Sequence, residues 1–271
     1  MNGASREALA AARERLDALT DSTSVDAGAL ADELAAVTAL LDREVSLRRV
    51  LTDPAQAGEA KAELAQRLLG TQVSGPAADL VAGMVRSRWS QSRDLVDALE
   101  ELASTADLTA AQKAGKLDDV EDELFRFGRI VSGSTELRAA LTDRKATTPA
   151  KSELLRSLLG GRAQAATERL VTRLVAAPRG RSLESGLESL SKLAAERRDR
   201  MVAVVTSAVP LSDVQKQRLG AALAKLYGRK MHLNLDVDPE VLGGMRVQVG
   251  DEVINGSLAD RIEDAGRRLT S

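Results

Sequence analysis

The chain has 271 residues, with 38 basic and 40 acidic side chains, no cysteine and four aromatic residues (one Trp, one Tyr, two Phe). The absence of cysteine excludes disulfides, thiol catalysis and sulfur-ligated zinc or iron-sulfur sites. The single histidine, His232, leaves little room for His-based catalysis, and we interpret it as a polar residue of an exposed or edge strand. The length allows two or three domains, whose cores must be built mainly from Leu, Val, Ile and Ala.

Charge is unevenly distributed along the chain. Residues 1–110 carry 11 basic and 18 acidic side chains (net −7), residues 111–200 carry 18 and 13 (net +5), and residues 201–271 carry nine of each. These differences indicate three surfaces with different neighbours. No segment has the roughly 20 apolar residues of a membrane span, and the first residues lack a signal-peptide core, so we expect a soluble, intracellular protein.

An internal repeat accounts for most of the first 200 residues. Residues 32–70 align without a gap to residues 122–160, with 15 identities in 39 positions, which indicates duplication of one unit. Apolar residues at helical spacing are Leu9, Ala12, Leu16 and Leu19, then Leu34, Val37 and Leu41, then Leu64 and Leu68. Gly70 and Gly160 are placed at helix C-termini. We therefore predict two antiparallel helical bundles.

A further Leu-rich helix is predicted from Gly186 to Arg200. Its last residues, from Glu196 onward, mix acids and bases with no aromatic side chain nearby. This composition favours a solvated helix end over a nucleic-acid contact.

The pattern changes after residue 200. Residues 201–209 predict a strand, and Ser212 with Gln215 has the capping-box spacing for a helix that ends near Tyr227. Two strands with tight turns follow, and a last helix begins near Ser257. The chain is thus predicted to be mainly α with a small α+β C-terminal domain of β-α-β-β-α order. The predicted domains are residues 1–110, 111–200 and 201–271.

The turns of the tail carry no chemical motif. Asp236, Asp238 and Glu240 have the spacing of the start of a calcium-binding loop. Val241, however, stands where that loop needs Gly, and Val247 stands where it needs Glu. The glycines fit neither a dinucleotide fingerprint nor a phosphate loop. We expect Gly244 to adopt a backbone conformation closed to residues with a Cβ. No catalytic, cofactor-binding or metal-binding residue is predicted, and no ATPase activity is expected.

Residues 231–257 nevertheless form a long ordered pattern. The main positions of this pattern are Val241, Gly243, Gly244, Val247, Gly250, Asp251 and Gly256. The pattern resembles the signature of the delta subunit of F-type ATP synthase, the homologue of the mitochondrial oligomycin-sensitivity-conferring protein. Asn255 stands where the family often has Asp. The extra helical copy is a second departure, because delta subunits of the usual length carry one bundle.

The resemblance implies a non-catalytic subunit of the peripheral stalk, present once per complex, that resists rotor torque during proton-driven ATP synthesis. Its helical domain would hold amphipathic N-terminal helices of the alpha subunits, and its C-terminal domain would meet the b-type stalk subunit. The implied location is the cytoplasmic face of the bacterial plasma membrane, with membrane contact only through the complex. No cofactor and no nucleic acid is implied.

For the partner helix we predict a groove in the acidic first copy. Its proposed residues are Leu9, Leu16, Leu19, Leu80, Met84 and Val85. The basic second copy, directly before the signature, better matches the family's usual arrangement. One alternative is a helical adaptor for a different amphipathic helix. Nucleic-acid binding through the basic segment is a weaker alternative, which a steeply salt-dependent affinity would favour.

Overall fold

The computed structural model describes residues 1–21, 25–198, 201–227, 231–238, 244–249 and 252–255. They form two compact units, Met1–Arg197 and a second that begins at Arg198. The first unit is helical and the second contains a small sheet. The predicted class, mainly α with a small α+β C-terminal part, is confirmed at this level.

Six helices lie in the described residues of the first half of the helical unit. They are α1 (Gly3–Asp21), α2 (Ala27–Arg43), α3 (Val45–Thr52), α4 (Gly58–Leu69), α5 (Gly75–Arg86) and α6 (Ser92–Lys113). Each turns one apolar face inward, and α2 packs along α6 while α4 packs along α5. The shared core is almost entirely aliphatic, with Leu16, Leu34, Leu80 and Leu99 fully buried.

The second half adds five helices. They are α7 (Leu117–Gly133), α8 (Thr135–Thr142), α9 (Thr148–Leu159), α10 (Ala165–Ala176) and α11 (Leu183–Arg198). Their core includes Leu124, Phe127, Leu155 and Val171. This half is also built from helices whose apolar residues recur at helical spacing.

Helix α6 belongs to both halves. Residues up to Ala106 lie in the first core, whereas Leu108 and Ala111 lie in the second. The helix is continuous across residue 110, where the sequence predicted a domain boundary. The division into three domains stays a prediction.

Four consecutive helices have bounds that differ by the same 90 residues. Helices α2 and α7 begin at Ala27 and Leu117, and α5 and α10 end at Arg86 and Ala176; α3 with α8 and α4 with α9 keep this spacing. Equal lengths put equivalent positions on equivalent faces. Buried pairs 90 residues apart include Leu34 and Leu124, Leu51 and Leu141, Leu69 and Leu159, Leu80 and Leu170, and Val81 and Val171.

A glutamate contact also recurs at this spacing. The carboxylate of Glu33 accepts hydrogen bonds from the backbone N–H and the hydroxyl of Ser74, the N-cap of α5, at 2.9 and 2.6 Å. Glu123 accepts from the backbone N–H of Gln164, the N-cap of α10, at 2.9 Å. Each glutamate therefore ties the start of one helix to the side of another and satisfies an N–H without an intrahelical partner.

Two local expectations need correction. Leu68 is 39% exposed, because the buried face of α4 runs through Ala62, Ala65 and Leu69 instead. The end of α11 is not fully solvated, because Arg197 is only 6% exposed. Gly70 and Gly160 do occupy the C-cap positions of α4 and α9, as predicted.

The second unit contains a four-stranded sheet. Its elements are β1 (Met201–Ser207), α12 (Asp213–Tyr227), β2 (Met231–Val237), β3 (Met245–Val249) and β4 (Glu252–Asn255). The strand order is β2-β1-β3-β4, with β1 and β2 parallel and the other pairs antiparallel. Ser212 and Gln215 form the predicted capping box at the start of α12.

Strand β4 is the element that the sequence interpretation missed. Its four residues lie between two predicted reversals, at Gly250 and Gly256, and are too few to show a strand period. The predicted helix near Ser257 lies outside the described residues.

Candidate functional site

The described part of the signature lies in and beside strand β3. Val247 is 4% exposed and pairs with Val205 of β1 in the sheet register. Gly244 precedes the strand with a φ of +83°. The backbone prediction for Gly244 is confirmed, since this φ is strained for residues with a Cβ. The signature positions Val241, Gly243, Gly250, Asp251 and Gly256 lie outside the described residues.

The signature strand contributes to the small core of this unit. Val247 and Val249 pack with Val205 and with Leu223 of α12. A buried valine pair from β3 is what the alternation of the signature requires. This part of the signature therefore holds a sheet together and brings no reactive group into a site.

The six predicted groove residues lie in the first helical half and mostly in its core. Leu9, Leu16, Leu80, Met84 and Val85 are at most 8% exposed. Leu19 is partly buried against the same core. Their helical spacing identified the buried face of α1 and α5 rather than an open surface. Their assignment to a partner-binding groove stays a prediction.

The surface above them is a shallow depression between α1 and α5, with a volume of about 70 Å³. It is lined by Ala8, Ala11, Ala12 and Arg15 of α1 and by Leu80, Gly83, Met84 and Ser87 of the α5 side. Alanines of α1 line one side of this depression, and the side chain of Arg15 lies over Gly83 on the other. Arg15 forms no ion pair within the described residues, so a further helix could displace it and approach both backbones.

The second half differs at the equivalent place. The residue 90 positions after Gly83 is Arg173, whose side chain is 25% exposed. It donates to Asp32 of α2 at 2.7 Å and also contacts Asp107 of α6. A long charged side chain thus replaces a glycine and joins the two halves.

Arg173 is one of several arginines of the second half that contact acids of the first. Among the described residues, seven ion pairs join residues 1–110 to residues 111–200, and in each the arginine comes from the second segment. The arginines are Arg169, Arg173, Arg179, Arg181 and Arg197, and the acids are Asp17, Asp32, Asp42, Glu100 and Asp107. We call this set the inter-half ion pairs.

Two of these contacts are deeply buried. Asp107 is fully buried and accepts hydrogen bonds from Arg169 at 2.7 Å and from Arg173. Asp17 and Arg197 have side chains 2% and 6% exposed and lie 2.6 Å apart, which links α1 to α11. Arg197 also donates to Gln112 at 2.7 Å. These contacts fix the first and last helices of the unit to one another.

Burial changes the titration of two acids of α6. It raises the pKa of Asp107, although the guanidiniums of Arg173 and Arg169 oppose the change. It also raises the pKa of Glu101, where Arg13 opposes the change and Glu196 adds to it. Desolvation of a carboxylate offsets much of the attraction in such pairs, so they specify the arrangement of helices more than they stabilise it.

Comparison with known proteins places these features in a family. The family model of the ATP synthase delta (OSCP) subunit matches residues 104–269. The match begins within α6, so it spans the second helical core and the unit that follows. The chain belongs to this family.

Delta-subunit relatives also match the first half. The ATP synthase subunit delta of Streptomyces coelicolor is 88% identical over 271 residues, which cover 100% of this chain and 99% of that protein. The subunit delta of Thermobifida fusca is 49% identical over 99% of both chains. That of Acidothermus cellulolyticus is 48% identical over 100% of both. The first helical half is therefore shared by relatives of three genera.

A chain in the cryo-EM structure of the Toxoplasma gondii mitochondrial ATP synthase hexamer also matches. It covers 62% of this chain and 95% of that chain, with 21% identity and a TM-score of 0.27. This similarity is too low to indicate a common arrangement of the two structures.

As a delta subunit, the chain is a non-catalytic structural component of ATP synthase. None of the helices in the described ranges is long and apolar enough to cross a membrane. Within those same ranges, no three His, Cys, Asp or Glu side chains are grouped as metal ligands.

Sequence reasoning missed the inter-half ion pairs. Asp107 and Arg173 are 66 residues apart, and Asp17 and Arg197 are 180 apart. The opposite net charges of the two segments were the available signal, and they were assigned to external neighbours. At this delta-subunit interface, much of the opposite charge is instead paired within the chain.

Proposed function

We propose that this delta subunit is a peripheral-stalk component that links the catalytic head to the b-type stalk and resists rotor torque. The helical unit holds an N-terminal amphipathic helix of an alpha subunit, and the unit after Arg198 meets the b-type subunit. The subunit occurs once per complex, at the cytoplasmic face of the bacterial plasma membrane, and touches the membrane only through the complex.

The observation that carries this proposal is the difference between the two α-helical surfaces. In the α1–α5 depression, Arg15 lies over Gly83 without an ion pair in the described residues. At the equivalent place in the second half, by contrast, Arg173 is held by Asp32 and Asp107. A partner helix gains about 25 cal/mol for each Å² of apolar surface that leaves water. The first half is therefore the better receptor for an amphipathic helix.

The joined helical halves suit a part that carries force. Helix α6 is continuous between the two cores, and the inter-half ion pairs connect helices far apart in sequence. A unit with these connections resists rotation of one half against the other. Slow dissociation from both partners then matters more than any reactive group.

We also propose that the two halves arose by duplication, with residues 1–110 as the additional copy and residues 111–271 as the family's usual bundle and tail. The common spacing of 90 residues supports this proposal. The family match from residue 104 supports the assignment of the second copy.

Binding of an alpha N-terminal peptide to the full chain tests the receptor assignment. Ala11 is exposed and lines the depression, whereas Ala10 is exposed outside it. Ala11→Arg should weaken binding by about tenfold or more, or roughly 1.4 kcal/mol, because it places a charge under the partner helix. Ala10→Arg adds the same charge and should leave the affinity unchanged.

Equal effects of Ala10→Arg and Ala11→Arg would contradict a site at the depression. A pull-down with the full chain then tests the stalk assignment independently. Capture of the alpha and b subunits supports it, whereas capture of neither would favour an adaptor for another helix.

A further inference from the structure

A second crevice lies in the first half, beside the start of α4, and has a volume of about 200 Å³. We call it the α4 crevice. The residues that matter here are Gln56, Gly58, Lys61, Arg86, Ser87 and Arg88. Cations and hydrogen-bond donors predominate among them.

Lys61 is the unusual member of the α4 crevice. It is only 4% exposed, yet its ammonium has no hydrogen bond or ion pair with any described residue. Burial lowers the pKa of Lys61, and the nearby charge of Asp53 opposes this change. The stem of Lys61 is buried, whereas its ammonium opens onto the α4 crevice, where no described residue pairs with it. This charge is therefore available to a ligand.

The surroundings of Lys61 fit an anion. Helix α4 begins at Gly58, and its N-cap, Ala57, has no side chain that accepts from the first-turn N–H groups. Such N–H groups favour negative charge. Arg88 is exposed and forms no ion pair within the described ranges. Arg86 is held at the rim by Glu59, at 2.9 and 3.0 Å.

The second half lacks this arrangement. Lys151 lies 90 residues after Lys61, but the counterparts of Arg86, Ser87 and Arg88 are Ala176, Ala177 and Pro178. Thr147 also caps α9, accepting from the backbone N–H of Ala150 at 3.4 Å. The chain thus contains its own control for the site.

We propose that the α4 crevice binds a phosphoryl oxyanion, with Lys61 as the central cation and Arg88 and the first turn of α4 as further donors. Free inorganic phosphate and the phosphate group of a nucleotide share this chemistry. The site is separate from the helix-binding depression, apart from Ser87 at the edge of both.

Trp89 provides a direct measurement. It is the only tryptophan of the chain, it follows Arg88, and it lines a crevice that shares Thr52 and Pro54 with the α4 crevice. Its fluorescence in the full chain is titrated with sodium phosphate, AMP and sodium acetate at constant ionic strength. We expect a saturable change with phosphate or AMP, at concentrations at least about tenfold below those needed for acetate.

Matched variants assign the site. Lys61→Met should weaken phosphate binding by about tenfold or more, because it removes a charge-assisted hydrogen bond. Lys151→Met should leave the midpoint within about twofold. If phosphate and AMP bind with similar midpoints, free phosphate is sufficient as the ligand of the α4 crevice. If only AMP binds, the ligand is a nucleotide.

Thermal unfolding separates this role from a structural one. Phosphate should raise the Tm of the wild type and of Lys151→Met, but not that of Lys61→Met. In phosphate-free buffer Lys61→Met should melt no lower than the wild type, because Met keeps the buried stem and removes a charge that no described residue pairs. The proposal is overturned by an unsaturable response, by equal midpoints for acetate and phosphate, or by equal behaviour of the two lysine variants.

Discussion

The two helical halves share helix bounds and most buried positions, but they differ in what their charged surfaces contact. Five arginines of the second half reach acids of the first, whereas Arg15, which lies in the α1–α5 depression of the first half, forms no ion pair within the described residues. Two halves with the same helix bounds can therefore keep similar cores while the charged residues of one half form an interface within the chain. The net charges of the two segments did not show whether their charged residues pair with each other or with separate partners. Both arrangements give the same net charges.

Removal of the central acid of this interface should have the largest effect. Asp107→Ala leaves two arginines without their buried partner and should lower the free energy of unfolding by about 3 kcal/mol. Urea denaturation of the full chain measures the change. Asp122→Ala removes an exposed pair with Arg126 instead and should cost less than about 0.5 kcal/mol. Similar losses would show that the inter-half contact contributes no more than a surface pair.

Packing within the second half gives the next largest effect. At Gly186 of α11, a Cβ would lie 2.3 Å from Cδ1 of the buried Leu174. Gly186→Val should therefore cost about 1–3 kcal/mol through overpacking. Gly128→Val is the matched control, because no atom lies within 4 Å of a Cβ at Gly128, and its effect on stability should be close to zero. Thermal melts of both variants make the comparison; a neutral Gly186→Val would show that Leu174 moves aside freely.

An exposed member of the inter-half ion pairs should contribute less. Arg181 is 37% exposed and contacts Glu100 at 2.7 Å. Arg181→Gln should cost about 0.5 kcal/mol at low salt, and the difference should vanish at about 1 M NaCl, where screening is strong. The loss in Asp107→Ala should largely persist at that salt concentration. A deficit of Arg181→Gln that is insensitive to salt would mean that packing, rather than charge, is lost.

The smallest expected effect is a change in pH dependence. Because burial raises the folded-state pKa of Glu101 above 4.5, the folded protein takes up this proton before the unfolded chain does. The stability of the wild type relative to Glu101→Gln should thus rise as the pH falls from neutral toward 4.5. Urea titrations at several pH values measure the difference. The opposite slope would indicate that the contact with Arg13 outweighs burial.

Local patterns predicted most of the fold. Helical spacing identified the buried faces of α1 and α2, and the pair Ser212 and Gln215 marked the start of α12, because these signals depend on neighbours within one turn. Strand β4 was missed because four residues between two reversals carry no period. Leu68 was misplaced because the α4 face could be drawn through either leucine of the pair Leu68 and Leu69.

The site was less accessible to sequence reasoning. The groove residues share the helical spacing of core residues, and this spacing does not say which apolar positions a partner would touch. The burial of Arg197 and the unpartnered ammonium of Lys61 depend on helices brought together from distant parts of the chain. Only the structure shows which charges meet and which remain without a partner.

Helix α6 also bears on how the chain folds. Its 22 residues extend over about 33 Å, and they supply side chains to two hydrophobic cores. If either core unfolded, part of α6 would lose the packing that keeps it helical. The other core would then lose side chains that α6 supplies to it. The two halves are thus nearest neighbours in the sense used for repeat proteins, in which each unit is stabilised by the next. A shared helix makes their folding cooperative without any loop between them.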